Sequence, residues 1–121
     1  MGASPEPDWA ALKVRARAVL AEVAGARSLI TYGDLAGRLG GGLPLEEGRD
    51  LASLLRELST EEDEAGRGLL SAVVVRAGGE GLPGGGFFRL AESRGRDVGD
   101  RRAAWRAEVE RVWRAFPPRA G

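Results

Sequence analysis

The sequence predicts a small α+β domain in which helices dominate and β-structure is short. Its 121 residues leave room for one domain, since domains usually need on the order of 100 residues each. Four segments carry apolar residues at intervals of three and four, the period of an amphipathic helix. The apolar run 69–75 is short, β-branched towards its end and bounded by glycines, as a strand is. We expect a single domain over residues 1–121, with residues 1–7 and 117–121 frayed.

A first helix is predicted over about residues 8–24. Apolar residues recur there on one face, while the charged side chains lie mostly off that face. Asp8 can accept hydrogen bonds from the first backbone N–H groups of the helix, and Gly25 is the residue type that commonly ends one. The apolar residues 28–30 that follow suit a small strand or an extended link.

Two further helices are predicted next. Thr31 followed by Asp34 is a variant of the capping box, so a short helix should run over residues 32–39 until the glycines at 40–42 break it. A third helix is expected over about 44–58, because a proline suits its first turn and four leucines form an apolar stripe. The polar residues 59–68 that follow suit a loop or one further helical turn.

The C-terminal half combines the strand with a glycine-rich turn and a last helix. Residues 77–86 predict a turn or wing, and residues 87–90 return as the second strand of a hairpin or open a short helix. The last helix should be capped by Asp97 or Asp100 and stopped by Pro117. This order predicts a small winged-helix-like domain with N- and C-terminal amphipathic helices and a short β-hairpin or wing.

Composition excludes several functional classes. The chain has neither cysteine nor histidine, which removes thiol catalysis, disulfides, zinc fingers and the commonest general base. No stretch approaches the roughly 18 apolar residues of a membrane span, and the N-terminus lacks the features of a signal peptide. We therefore expect a cytoplasmic protein that is not an enzyme, binds no metal or small-molecule cofactor, and does not associate with a membrane.

Charge is balanced overall but unevenly spread. The 18 basic and 18 acidic residues cancel. Residues 29–93 carry six arginines against eleven acidic residues, whereas residues 94–121 carry eight arginines against four. A generic nucleic-acid-binding protein would be basic overall, so any DNA contact here must use a local patch.

Three motifs that could carry chemistry favour structural interpretations. Residues 79–84 have the spacing G-x-G-x-x-G, but a proline and further glycines stand where dinucleotide binding needs a helix, so we expect a flexible wing. The acidic run 61–64 is interpreted as a solvated surface rather than a metal site, because adjacent carboxylates on a helix point in different directions. Ser53, Ser71 and Ser93 lack the neighbouring base that a nucleophile requires.

Residues 30–36, Ile-Thr-Tyr-Gly-Asp-Leu-Ala, resemble the helix-turn-helix entrance of the O6-alkylguanine DNA alkyltransferases and alkyltransferase-like proteins. In that family a recognition helix follows and carries an arginine that takes the place of a flipped nucleotide; by order and spacing Arg49 matches it. A Pro-Cys-His-Arg-Val segment and a glycine-rich wing come next, and residues 69–75 and 78–86 occupy their places. The resemblance covers about residues 28–90 and implies a winged helix that binds DNA.

The departures from that family concern its chemistry. Ser71 stands where the alkyl-accepting cysteine would be, Ala72 where the histidine would be, and Val73 where the arginine would be. A serine without a base cannot replace a thiolate, so repair by alkyl transfer to this chain is excluded. The link to the third helix is also longer than in the family, because the glycines at 40–42 are inserted.

The sequence is compatible with two functions and does not decide between them. In the first, the chain is a non-catalytic module that binds double-stranded DNA through its third helix, its wing and its basic C-terminal helix. Arg89 is a further candidate in the wing. The residues expected at this interface are Tyr32, Arg49, Arg56, Arg76, Arg101 and Arg102.

In the second, the chain is a winged-helix protein-interaction or adaptor module with no nucleic-acid binding. Its acidic middle and basic C-terminal segment would pair with each other, with a protein partner or with a second copy of the chain. The carboxylates on the third helix, Glu57 among them, favour this function because they would repel phosphate. Residues 30–36 favour the first.

Overall fold

The computed structural model describes residues 9–40, 49–78 and 81–118, and for residues 49 and 50 it describes the backbone alone. Several sequence-based expectations lie outside these ranges. They are the frayed residues 1–7 and 119–121, the cap at Asp8, the glycines at 41–42, the helix start at Pro44, and Gly79 and Glu80 of the glycine-rich motif.

The described residues form helices and one small sheet, which confirms the expected α+β class. A turn of 3-10 helix, Leu70–Val73, leads directly into the second strand. The elements in chain order are α1 Trp9–Gly25, β1 Ile30–Thr31, α2 Tyr32–Arg38, α3 Arg49–Glu64, β2 Val74–Val75, α4 Gly85–Ser93 and α5 Arg101–Ala115.

The two strands pair in parallel, with Ile30 opposite Val74 and Thr31 opposite Val75. The predicted strand over 69–75 is therefore wrong for most of its length. Backbone N–H groups of Leu69 and Ser71 donate to side chains from the helices, not to a neighbouring strand. Those side chains hold the segment as a 3-10 turn and leave two residues to pair with β1.

Of the two alternatives expected for residues 87–90, a hairpin strand or a short helix, the structure confirms the helix. After β2 the chain turns through Gly78 and Gly81, both at positive φ, and Arg76 N donates to Leu82 O at 3.0 Å. Residues 87–90 then lie within α4. A helix forms there in preference to a strand because Phe87, Phe88 and Ala91 fall on one helical face, which is buried in the core.

Helix α1 ends in a Schellman motif centred on Arg27, not on Gly25 as expected. Arg27 N donates to Ala24 O and Ser28 N donates to Val23 O, both at 3.0 Å. Arg27 has a φ of 55°, a conformation that usually requires glycine. Its guanidinium compensates by donating to Ala24 O at 3.0 Å and to Phe116 O at 2.9 Å.

The other helix boundaries follow local chemistry. Thr31 Oγ1 accepts a 3.1 Å hydrogen bond from Asp34 N, which confirms the predicted cap of α2. Asp100, rather than Asp97, caps α5 by accepting from Ala103 N at 3.1 Å. Helix α3 runs to Glu64, beyond the expected end at residue 58, because its buried stripe continues past the leucines through Ser59 and Glu62.

The buried apolar residues form one cluster to which every described helix and both strands contribute. The 3-10 turn lies at its centre, packed between α1, α3 and α5, and all four of its residues are buried. Because Ser71, its second residue, also lines the cavity between α3 and α4, this turn connects the core to the site described next.

Candidate nucleic-acid interface

A cavity of about 580 Å³ opens between α3, the end of the 3-10 turn and α4; we call it the α3/α4 cavity. Its apolar wall comes from leucines of α3 and from Phe87 and Leu90 of α4, and no carboxylate lines it among the described residues. The polar side chains that line it all carry hydrogen-bond donors. They are Tyr32, Ser53, Arg56, Ser71, Arg76 and Arg89.

Tyr32 joins two walls of this cavity. It is the first residue of α2, and its hydroxyl accepts a 3.1 Å hydrogen bond from Gly84 N, the N-cap of α4. The phenol is half-buried against the core. Tyr32 thus fixes the start of α4 relative to β1 and α2, and its hydroxyl proton remains available to an acceptor in the cavity.

Three cavity arginines have no partner within the described part of the chain. The guanidinium groups of Arg56, Arg76 and Arg89 are exposed and form no hydrogen bond or ion pair with another described residue. Arg56 extends from α3, Arg76 directly follows β2, and Arg89 extends from the first turns of α4, not from a wing strand. The cavity therefore concentrates uncompensated positive charge around an apolar wall.

Glu57 and Glu61 of α3, by contrast, are engaged away from the cavity. Glu57 accepts from Trp9 Nε1 at 3.0 Å and pairs with Lys13 at 3.4 Å. Glu61 pairs with the same lysine. The Trp9 hydrogen bond holds the pKa of Glu57 below its usual value, and the bond to Glu61 raises the pKa of Lys13. The expected repulsion of phosphate by Glu57 is thus offset by α1.

Within the acidic run 61–64, Glu61 and Glu64 are exposed as expected, but Glu62 corrects the expectation of a solvated surface. Glu62 is only 3% exposed and receives hydrogen bonds from Arg17 at 2.7 Å and from Arg67. Burial raises the pKa of Glu62, but the hydrogen bonds from Arg67 and Arg17 outweigh burial and lower it on balance. The run is buried where it faces α1 and the loop after α3, because arginines there neutralise it.

Asp63 ties α3 to the basic C-terminal segment. Arg96 donates to it at 2.7 Å and Arg94 at 2.6 Å, which together hold the pKa of Asp63 below its usual value. Arg96 also donates to Glu108 at 2.8 Å, and the two carboxylates raise the pKa of its guanidinium. The acidic middle and the basic C-terminal segment thus pair with each other at these positions.

The floor of the cavity is held from below by side chains that the sequence analysis did not single out. Leu69 N donates to Glu108 Oε2 at 2.8 Å, and Trp105 Nε1 donates to Ala72 O at 2.9 Å. Ser59 Oγ accepts from Ser71 N at 2.9 Å and donates to Ser71 Oγ at 2.8 Å. Ser71 keeps its own hydroxyl proton for an acceptor.

A second opening, of about 420 Å³, lies between the turn after β2 and the start of α5; we call it the α5 groove. Arg76, Arg101 and Arg102 line it, together with Phe88. The guanidinium carbon of Arg101 sits 4.7 Å from the centroid of the Phe88 ring, a cation–π contact. No carboxylate among the described residues lines this groove either.

The structure thus brings five of the six expected interface residues to two adjacent openings. Tyr32 and Arg56 line the α3/α4 cavity, Arg101 and Arg102 line the α5 groove, and Arg76 lines both. The sixth residue, Arg49, begins α3, and its side chain lies outside the described part of the chain.

Comparisons of the chain with models of known protein families, with curated proteins and with solved structures find no match. Within the described residues no group of carboxylates is arranged to hold a metal ion, and no helix is long and apolar enough to cross a membrane. The cavity and groove are therefore the features from which a function can be argued.

Proposed function

We propose that this chain is a non-catalytic winged-helix module, similar to the alkyltransferase-like proteins, that binds double-stranded DNA. In this proposal α3 docks on the duplex and the α3/α4 cavity receives a base extruded from it. The observation that carries the proposal is that α3 directs a basic side chain to the cavity while its paired acidic side chains lie away from it. Arg56, Arg76 and Arg89 line a cavity at which no described residue places a carboxylate, and their guanidinium groups have no partners among the described residues, while Glu57, Glu61 and Glu62 pair elsewhere.

The lining of the cavity suits a nucleotide base. An extruded base needs apolar surface to replace the stacking it loses and donors for its ring and carbonyl acceptors. Leu55, Phe87 and Leu90 offer the apolar surface, and Ser71 and Tyr32 offer hydroxyl donors. The arginines at the rim suit the phosphates on either side, because guanidinium groups match phosphate geometry.

The resemblance of residues 30–36 to the alkyltransferase family supports the same function, DNA binding with an extruded base. Ser71, which stands at the position of that family's acceptor cysteine, lies in the wall of the cavity beside Tyr32 and Arg56. Its hydroxyl is hydrogen-bonded to another hydroxyl, that of Ser59, and no base is among its described partners. A serine in this setting can recognise an alkylated or ordinary base but has no means of accepting an alkyl group from it.

The adaptor function expected the acidic middle and the basic C-terminal segment to pair with each other, with a protein partner or with a second copy of the chain. In the described residues Asp63 pairs within the chain, with Arg94 and Arg96. The adaptor function remains the alternative that a failure to bind DNA would favour.

The decisive experiment measures binding of the purified chain to a fluorescently labelled duplex at about 0.05 and 0.2 M salt. Contacts with several phosphates would give binding that weakens steeply as salt rises. Arg56→Ala should weaken binding, whereas Arg114→Ala, which removes an exposed arginine that lines neither opening, should weaken it far less. Absence of binding even at the lower salt concentration would overturn the proposal.

A further inference from the structure

The α5 groove is a second basic site that adjoins the α3/α4 cavity at the start of α4. Consecutive residues at the start of α4 alternate between the two openings: Gly84 and Gly86 line the cavity, whereas Pro83 and Gly85 line the groove. Arg76 lines both. The first turn of α4 is therefore a ridge between two openings that no described carboxylate lines, with an arginine shared across it.

Arg101 is positioned within the groove rather than projecting freely from α5. Its guanidinium lies over the Phe88 ring, whose burial at 2% exposure makes the ring a fixed support. The contact holds the guanidinium at the groove through its charge and leaves its N–H groups able to donate hydrogen bonds. Arg101 makes no hydrogen bond or ion pair with another described residue.

The carboxylates closest in sequence to Arg101 are occupied. Asp100 accepts the capping hydrogen bond from Ala103 N, and Asp97 accepts from Gly99 N at 3.0 Å. Neither lines the groove. Arg76 and Arg101, which both line the groove, therefore suit an anion with several acceptor oxygens.

We propose that the α5 groove binds the phosphodiester backbone of the strand whose base enters the α3/α4 cavity. The strand crosses the ridge at the start of α4, so that a phosphate next to the extruded nucleotide lies between Arg76 and Arg101. This inference rests on the proposed function, and it adds a contact that the winged-helix resemblance does not supply, because α5 has no counterpart in that comparison. The C-terminal helix thereby becomes part of the DNA interface through its first turn alone.

The test compares three proteins in salt titrations with one labelled duplex: wild type, Arg101→Ala and Arg106→Ala. Arg106 is a matched control because it is an exposed arginine of the same helix, lacks a partner among the described residues and lies outside the groove. Losing one phosphate contact should reduce the steepness of log K against log salt by about 0.9 and weaken binding roughly five-fold near 0.15 M salt. We expect this for Arg101→Ala and a much smaller change for Arg106→Ala.

A second measurement locates the phosphate. Duplexes are prepared with single neutral methylphosphonates at successive positions around a 2-aminopurine, whose fluorescence rises when it is extruded. One neighbouring position should weaken wild-type and Arg106→Ala binding but leave Arg101→Ala unaffected, since the contact is already lost. Equal urea midpoints for all three proteins establish that they fold alike.

The outcomes separate the two proposals. Wild-type chain that does not bind the duplex overturns the proposed function and this inference with it. Wild-type chain that binds, with equal salt dependence for Arg101→Ala and Arg106→Ala, overturns the inference alone. The inference alone is also overturned if every methylphosphonate that weakens binding of the wild-type chain weakens binding of Arg101→Ala as well.

Discussion

The backbone N–H of Leu69 donates a 2.8 Å hydrogen bond to Oε2 of Glu108, across 39 positions of sequence and inside the core. Glu108 is 2% exposed and also accepts from Arg96. One buried carboxylate thus anchors the start of the 3-10 turn and balances a guanidinium from the α4–α5 link. The floor of the α3/α4 cavity depends on this anchor, because Ser71 lies two residues further on.

Replacing Glu108 should therefore destabilise the protein strongly. Glu108→Ala leaves a buried N–H without its acceptor and Arg96 without one of its carboxylates, so we expect a loss of about 3 kcal/mol in the free energy of unfolding. Glu108→Gln keeps an acceptor for Leu69 and should cost less. Urea unfolding measures both, with the exposed Glu110→Ala as the control, for which about 0.5 kcal/mol or less is expected. Equal losses for Glu108→Ala and Glu110→Ala would contradict the anchoring role.

The helices of this fold were largely predictable because their signals are local. The leucine stripe of α3 and the buried stripe of α5 follow the helical period, and that spacing needs no knowledge of the tertiary structure. Glu108 falls on the same stripe as Val109 and Val112, so its burial could have been inferred from spacing as well. Its charge alone would favour the surface, whereas its partners from distant segments keep it inside.

The 3-10 turn could not be predicted in the same way. A continuous apolar run such as 69–75 fits a buried strand or a buried helical segment equally well, and the choice depends on what the backbone meets. Here it meets Ser59, Trp105 and Glu108, which come from two different helices. The clustering of Arg56, Arg76 and Arg89 likewise depends on how α3 and α4 pack, which no local pattern encodes.

Arg27 offers a direct test of side-chain compensation for backbone strain. With φ at 55°, this position would suit glycine, yet the arginine side chain donates to two carbonyls at the ends of α1 and α5. Arg27→Ala keeps the strain and loses both hydrogen bonds, whereas Arg27→Gly loses the bonds but relieves the strain. We expect thermal unfolding to rank wild type as most stable, then glycine, with alanine about 1 kcal/mol below glycine. An Arg27→Ala protein as stable as the Arg27→Gly protein would show that the backbone strain at this position is negligible.

Stability should fall at acidic pH through Asp63 and Glu62. Both carboxyls have a pKa held below its usual value in the folded chain, so the unfolded chain takes up protons at higher pH than the folded chain does. Their contribution is present above the unfolded pKa and is lost as pH falls, from about pH 5 to about pH 2. Asp63→Asn should flatten the dependence of the urea midpoint on pH in this range. Glu64→Gln, an exposed neighbour in the same run, should leave it as steep as in wild type.

Filling the α3/α4 cavity should separate base extrusion from DNA affinity. Ser53 is exposed on α3 and lines the cavity, so Ser53→Trp places an indole at its mouth with little cost to the core. A duplex carrying 2-aminopurine should become more fluorescent when wild-type chain binds, because the base leaves the stack. The tryptophan variant should still show salt-dependent binding through Arg76 and Arg101 but little fluorescence rise.

Ser93→Trp, at the far end of α4 and outside the cavity, is the control and should behave as wild type. A full fluorescence rise with Ser53→Trp would mean that the extruded base lies elsewhere, since the indole and the base cannot share one cavity.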